Sequence, residues 1–583
     1  MRKTSSVRRR EKRRRRLKII TSCCAFALLI AAVFYIAFGD RLPFGSSSSD
    51  SMILDPNTSS SSSEAEDAWR RGFISSDGRT VDIIDAENEQ IGSLVRGTRI
   101  SYDPDDETFL NYYEIMLNDG TVGYVLSEFV TANYENVVKE RSVYVRTAQN
   151  LYNEDGITLG TLVNKGEALD VVGFDTVDEN GDVNKYMVEY NGETGYIRSE
   201  YVTSTLEDAT ANYDEDGSYQ IHAERGNPYG GGDAGSLDFF PREKPSFEDN
   251  VMPEECRTLY LCGEAVKSVD DYIELADSTG INAFVVDIVD GTAVSYPSPV
   301  MEEYSPTAFA RAIFTVEEYQ EAIQKIKDAG YYVIGRITAF NDSNLVADYP
   351  ECAITDNNGE PLSLSRGYWP SAYDRSVWQY KVELAVDAVE TMGFNEIQFD
   401  YVRFPDGTRS LESAGTIDYN NTYGETKAQA IQRFLMYACD VLHEYGVYVS
   451  ADVFGEAAYT YVTAYGQYWA AISNVVDVIS GMPYPDHFAA NGDYLPWTHP
   501  YETLNSWAES VVIRQTETAS PAIVRTWIQA YNAIRSPYNA YGVHEVTEEI
   551  RGLRDAGLTG GYMTWNGSSD ISKYRELAEA FNY

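Results

Sequence analysis

The sequence predicts a multidomain protein: one N-terminal transmembrane helix, two small all-β barrels and a C-terminal (β/α)8 TIM barrel. Three patterns say so. A charge-free run of twenty residues follows a basic N-terminus, a β-patterned unit occurs twice, and eight strand patterns alternate with helical ones from residue 256 onward. At 583 residues the chain has room for three or four domains.

The formal net charge is -44, but residues 1–18 hold eleven Lys or Arg against one Glu, so +10 sits there and -54 on the remainder. A body so acidic is repelled by nucleic acid, which excludes it as a partner. The span Ile19–Phe38 carries no charge and has the length that crosses a bilayer as a helix. Its positive flank is N-terminal, so residues 1–18 form a basic cytoplasmic tail, 19–38 the membrane helix, and the bulk lies outside the cell. A cleaved signal peptide is the competing reading. The apolar run is long for one, and no clear small-x-small site precedes Gly39-Asp40. Residues 39–79 are Ser-rich with Asp, Glu and Pro, a composition that buries no core and reads as a linker.

The repeat follows. Gly120-Thr121-Val122-Gly123-Tyr124-Val125 through Thr131 recurs as Gly192-Glu193-Thr194-Gly195-Tyr196-Ile197 through Thr203, and Ile91-Gly92-Ser93-Leu94-Val95 as Leu159-Gly160-Thr161-Leu162-Val163. Turn residues such as Asn118-Asp119-Gly120 break each unit into short strands, predicting two β-barrels at 80–133 and 140–204. The Gly-Tyr-Val strand with its short turn resembles the bacterial SH3-like domain. That resemblance implies binding of cell-wall peptide or glycan; a spacer without ligand is the alternative. The acidic loops at 103–107 and 178–182 read as hairpin turns rather than calcium loops. Residues 205–255, rich in Gly and Asp, form a second linker that could wrap the next domain.

The last domain spans 256–583. Its strand patterns are 258–262, 283–288, 332–337, 396–401, 447–453, 475–480, 524–530 and 561–565. Helical runs such as 315–329, opened by a Thr315/Glu318 capping box, and 376–392 lie between them. Gly280, Gly330, Gly393, Gly446 and Gly557 stand where left-handed C′ residues close helices. An open doubly wound sheet is the alternative, but no Gly-rich phosphate loop follows the first strand. Helix-to-strand links are only a few residues long. Strand-to-helix links at 289–314, 340–375, 404–424 and 482–502 are long and rich in Tyr, Trp, Asn, Asp and Pro. That asymmetry places the working face at the strand C-termini.

Strand ends bring Asp287, Arg336, Asp400, Arg403, Asp452, Glu456, Met482, Tyr484, Gln529, Trp565 and Asn566 to that face. Carboxylates dominate, with aromatics and amides around them. His487, His499 and His544 lie in loops without HxH or HExxH spacing, there is no GxSxG elbow, and the six cysteines form no CxxC pair. No metal or cofactor is expected, and a metal-dependent deacetylase is disfavoured. One disulfide from Cys256 or Cys262 to a later cysteine is compatible with the spacing. Chemistry that needs two carboxylates and aromatic platforms is glycoside cleavage, in which one acid protonates the leaving oxygen while the other attacks the anomeric carbon or activates water.

The octapeptide Gln398-Phe399-Asp400-Tyr401-Val402-Arg403-Phe404-Pro405 resembles the signature of a bacterial family of putative glycoside hydrolase domains. Ser450-Ala451-Asp452-Val453-Phe454-Gly455 and Tyr562-Met563-Thr564-Trp565-Asn566 support the likeness. The resemblance implies a TIM barrel related to the alpha-amylase and alpha-galactosidase superfamily, often joined to membrane anchors and SH3-like domains. It implies Asp400 as nucleophile, with Asp452, Glu456 or Asp486 as acid/base. Asp287, Arg336, Tyr401, Arg403, Tyr484, Gln529, Trp565 and Asn566 become candidate substrate contacts, and Arg403 could instead hold Asp400 ionised. Trp369, Tyr401, Trp497, Trp527 and Trp565 are candidate sugar platforms, ordinary core packing being the alternative for each. The expected function is a membrane-anchored extracellular glycosidase acting on peptidoglycan or another wall or surface polysaccharide. A non-catalytic carbohydrate-binding protein on a degenerate barrel is the alternative.

Overall fold

The computed structural model describes residues 69–76, 80–178, 180–211 and 231–583. The expected basic tail, the membrane helix at 19–38 and most of the first linker lie outside the described residues. Among the described residues no helix is long and apolar enough to cross a membrane. The chain divides into two compact units between Asn133 and Tyr134.

The first unit is a seven-stranded antiparallel sheet: Arg70–Ile74, Val81–Ile84, Gln90–Leu94, Arg99–Asp103, Tyr112–Leu117, Val122–Leu126 and Val130–Thr131. Period-two alternation puts Ile100 and Tyr102 inside with Ile74, Ile83, Ile115 and Val125. The domain starts earlier than the expected residue 80, because Arg70–Ile74 pairs with both Arg99–Asp103 and the last strand. The signal there is weak, since Arg70 and Arg71 stand at exposed positions of that strand.

The second unit begins with the other repeat copy. Its strands run Ser142–Val145, Gln149–Tyr152, Thr158–Val163, Ala168–Phe174, Lys185–Tyr190, Glu193–Arg198 and Val202–Thr203. Both sheets have the same spatial order: third, second, sixth, fifth, fourth, first, seventh strand. The acidic loops close on themselves: Asp103 accepts the Asp105 N–H, and Asp178 those of Asn180 and Asp182.

This second sheet is fixed to the large domain. Tyr201 donates to Asp440 at 2.8 Å, Arg198 pairs with Asp440 and Glu444, and the Tyr152 ring stacks on Tyr437. Arg375, buried at the start of helix Arg375–Met392, donates to Asn150 at 2.9 Å and to Glu425 at 2.6 Å. Repeat position by position, Arg198 and Tyr201 replace Leu126 and Phe129 of the first copy.

The described part of the second linker wraps the barrel, as its composition allowed. Leu237 and Phe239 are buried against Ala428, Val462 and Tyr468, and Lys244 donates to the carbonyls of Ser473, Asn474 and Val476. Asn250 donates to the Asn395 and Gly446 carbonyls, just ahead of barrel strands four and five.

The eight barrel strands are Cys256–Leu261, Ala283–Asp290, Tyr332–Thr338, Glu396–Asp400, Tyr448–Phe454, Val478–Met482, strand seven in two pieces (Ile523–Val524 and Thr526–Gln529) and Gly561–Trp565. Every neighbouring pair is parallel. The ring closes through strand seven, whose first piece pairs with strand six and whose second pairs with strand eight. Between them lies Arg525, buried and paired with Glu396 across the barrel floor at 2.8 Å. The capping box at Thr315/Glu318 forms. Gly330, Gly393, Gly446 and Gly557 adopt left-handed φ of 89°, 73°, 71° and 99°. Gly280 is an exception. It is not left-handed; a side chain there would meet the Phe581 carbonyl at 2.5 Å, so close approach of the C-terminus requires glycine. Cys256, Cys262, Cys352 and Cys439 are free thiols rather than partners in a disulfide.

Candidate active site at the mouth of the barrel

The strand register explains why the site forms. Asp287 on strand two lies level with Arg336 on strand three, and Asp400 at the end of strand four lies level with Thr338, two positions further up the barrel. Arg336 is fully buried, and from the centre it reaches carboxylates on three strands. It donates to Asp287 at 2.6 Å and to Asp400, with Asp452 at 3.8 Å and Asp290 at 3.4 Å. Asp400 receives a second donor, the Tyr401 N–H at 2.5 Å. To make that turn Tyr401 adopts φ +51°, a strained conformation for a bulky side chain.

Four carboxyl groups around one guanidinium cannot all ionise cheaply. Burial pushes Asp287 up to about 7 against the opposing pull of Arg336. Burial and then the neighbouring Asp400 charge hold Asp452 well above the usual carboxylate range. Burial works against the Arg336 cation, but Asp287, Asp400 and Asp290 more than offset it and raise its pKa. Asp452 accepts from the Trp527 indole at 2.7 Å, and Asp287 from the Tyr260 hydroxyl at 2.5 Å. Asp290, paired at 3.4 Å, is the most open of the four with its side chain 43% exposed; of the two carboxylates hydrogen-bonded to Arg336, Asp400 is 10% exposed against 4% for Asp287, and Asp452 is at 1%.

The remaining candidates divide. Glu456, on the turn after strand five, accepts from Tyr461 and Tyr465 at 2.8 and 2.9 Å rather than from Arg336. Arg403 makes no ion pair with Asp400 among the described residues. It lies among the rings of Phe454, Trp369 and Tyr401 at 4.4, 5.0 and 5.1 Å and donates to Asp406 and the Phe404 carbonyl. Gln529 is spent on local structure: its N–H donates to Glu549 and its amide to the Tyr531 carbonyl. Asn566 likewise bonds the Ala530 carbonyl and Ser568. Asp486 is buried and accepts from the Tyr531 hydroxyl and the Ile534 N–H.

Three expected platforms are enclosed. Trp369, Trp497 and Trp527 are buried, their indoles donating to the Ser365 carbonyl, the Pro537 carbonyl and Asp452. Trp565 is half-buried, 4.7 Å from the Tyr260 ring and 6.4 Å from Tyr484, with the Arg336 guanidinium 5.5 Å away. The sequence reading missed Tyr260 and the indole of Trp527 as hydrogen-bond donors to the carboxylates. Strand one is buried throughout from Thr258 to Leu261, so no alternation marked Tyr260.

The carboxylates of this near-closed parallel barrel converge at the strand C-termini. The chain belongs to the family described as "putative glycosyl hydrolase domain", which matches residues 258–571. Among solved structures, a hypothetical protein from Ruminiclostridium thermocellum is 34% identical over 33% of this chain and 97% of its own, with a TM-score of 0.28. The PgaB (BpsB) glycoside hydrolase domain from Bordetella bronchiseptica is 11% identical over 56% of this chain and 99% of its own, TM-score 0.39. The spore cortex-lytic enzyme SleL from Bacillus cereus is 11% identical over 57% and 75%, TM-score 0.34. No curated protein matches the chain.

Proposed function

We propose that the protein is a glycoside hydrolase of the cell surface that cleaves a wall or surface polysaccharide with a carboxylate pair. The observation that carries this reading is the set Asp287, Asp400 and Asp452 gathered on one guanidinium, with two of the three carboxyls held toward the protonated form. Unlike environments for neighbouring carboxyl groups are what glycoside cleavage asks for: one group donates a proton to the leaving oxygen, the other supplies negative charge at the anomeric carbon. Asp400, at the end of strand four and the more open of the two carboxylates hydrogen-bonded to Arg336, takes the nucleophile or base role. Asp452 takes the acid role and Glu456 is the alternative acid. Trp565 and Tyr401, both half-buried, are the proposed sugar contacts, while Tyr484 is buried 6.4 Å from Trp565.

Membrane anchoring through residues 19–38, with the bulk outside the cell, is part of the proposal and rests on the charge-free span behind the basic tail. So is the SH3-like character of the two small sheets and their contact with wall material.

A binding-only barrel is the second reading. It is favoured by the engagement of both Asp400 oxygens and the enclosure of Asp452. Incubating the full chain with wall, capsule and storage glycans separates the two. New reducing ends support hydrolysis; retention without cleavage supports binding alone. For the acid, Asp452→Asn should abolish cleavage of the natural glycan while sparing an aryl glycoside whose leaving group needs no proton. The same pattern in Glu456→Gln instead would move the role to Glu456.

A further inference from the structure

We propose that the barrel mouth selects a negatively charged glycan, and that Arg366 and Arg535 are the residues that recognise its carboxylate or phosphate groups. The inference rests on the glycoside-hydrolase reading of the same mouth and adds the substrate's chemical class.

Position rather than the lack of a partner sets these two arginines apart, since Arg311 and Lys139 are likewise exposed without an ion pair among the described residues. In a chain with 90 acidic and 46 basic residues, most cations should find an acidic partner. Arg366 and Arg535 are exposed, and neither forms an ion pair among the described residues. They arrive from different loops, after strands three and seven. Arg366, itself at a left-handed φ of 66°, lies 5.6 Å from the ring of Tyr401, the residue next to Asp400. Arg535 lies 5.9 Å from the Trp497 ring, with a long 3.5 Å contact to the His487 carbonyl.

His487 joins the two. Its ring packs 5.1 Å from Tyr484, and Tyr484 leads to Trp565 and so to Arg336. Burial lowers the His487 pKa, Asp486 opposes that, and Arg535 and Arg366 add to it. The nearby acids are already engaged. Asp486 is buried on Tyr531 and Ile534, while Asp406 and Asp290 are half-exposed and paired with Arg403 at 3.2 Å and Arg336 at 3.4 Å. These two guanidiniums, one beside Tyr401 and the other beside Trp497 and the His487 carbonyl, act as separate anion contacts along a bound polymer, on a body whose long-range charge would otherwise repel it.

The test uses the full chain in detergent and two matched pairs of polymers: polygalacturonate against its methyl ester, and a phosphomannan against neutral mannan. Retardation in affinity electrophoresis is measured for wild type and the Arg366→Gln/Arg535→Gln double variant. The expected result is that one charged polymer binds roughly tenfold tighter than its neutral partner, and that the double variant removes the difference while leaving neutral binding unchanged. Which charged polymer is retained tells carboxylate from phosphate. Equal affinity within both pairs, a preference that survives the double substitution, or no binding of either charged polymer would overturn the proposal. Reducing ends are measured in parallel. Cleavage of neutral glycans without charge preference defeats this inference alone; charge-selective binding without cleavage defeats only the hydrolase reading.

Discussion

Removing the guanidinium at Arg336 would leave Asp287, Asp400 and Asp452 facing one another in a buried mouth. Arg336→Met should therefore cost about 3–5 kcal/mol in urea unfolding and abolish activity. Arg336→Lys should rescue neither, because a single ammonium does not span three carboxylates. Asp287 gives a second test. Its carboxyl keeps a proton to about 7 in the fold, but loses it near about 3.9 in the unfolded chain. Between those values the native state binds more protons, so this group's contribution to stability falls as pH rises from about 4 to about 7 and is level above that. Asp287→Asn should flatten the slope over that interval by on the order of 4 kcal/mol, read from urea midpoints at stepped pH. Individual residues were partly legible in the sequence. Strand-end alternation pointed to Asp287, Arg336, Asp400 and Asp452, but no local pattern says which strands face each other across a barrel. Arg403 drew attention through its nearness to Asp400 in sequence, yet the cation that touches Asp400 comes from the neighbouring strand. Trp369 and Trp497 looked like platforms because their burial leaves no mark on a short motif.

The β/α alternation and short lower links marked every barrel strand, because each pattern is local. Closure is not local. Strand eight begins at Gly561 with φ +100°, and a Cβ there would lie 2.1 Å from the Cys256 carbonyl. Gly561→Ala should destabilise the barrel by more than ~2 kcal/mol through loss of the seam between strands eight and one, seen as a lowered Tm. The second repeat was legible as a fold but not as a fixture. Its attachment depends on Arg198, Tyr201 and Asn150 meeting Asp440, Glu444 and Arg375 more than two hundred residues away. Deleting residues 134–203 should lower the Tm of the barrel, whereas a free-standing spacer would leave it unchanged.

For the whole molecule, composition set the exclusions and the order of parts. The acidic body argued against nucleic acid, and the basic tail with its apolar span argued for an anchor. Removing residues 1–38 should move the protein from the membrane pellet to the supernatant without loss of cleavage; continued pelleting would defeat the anchor. The family membership covers the barrel and fits a hydrolase, while the small sheets and the mouth decide where and on what it would act. Everything in that account turns on Asp400. The decisive measurement is release of reducing ends by the full chain and by Asp400→Asn, both shown folded by circular dichroism, on the same glycan panel. The account predicts cleavage by wild type that falls by at least about 10³-fold in the variant, the scale of losing a catalytic carboxylate. Equal cleavage by both proteins would contradict it.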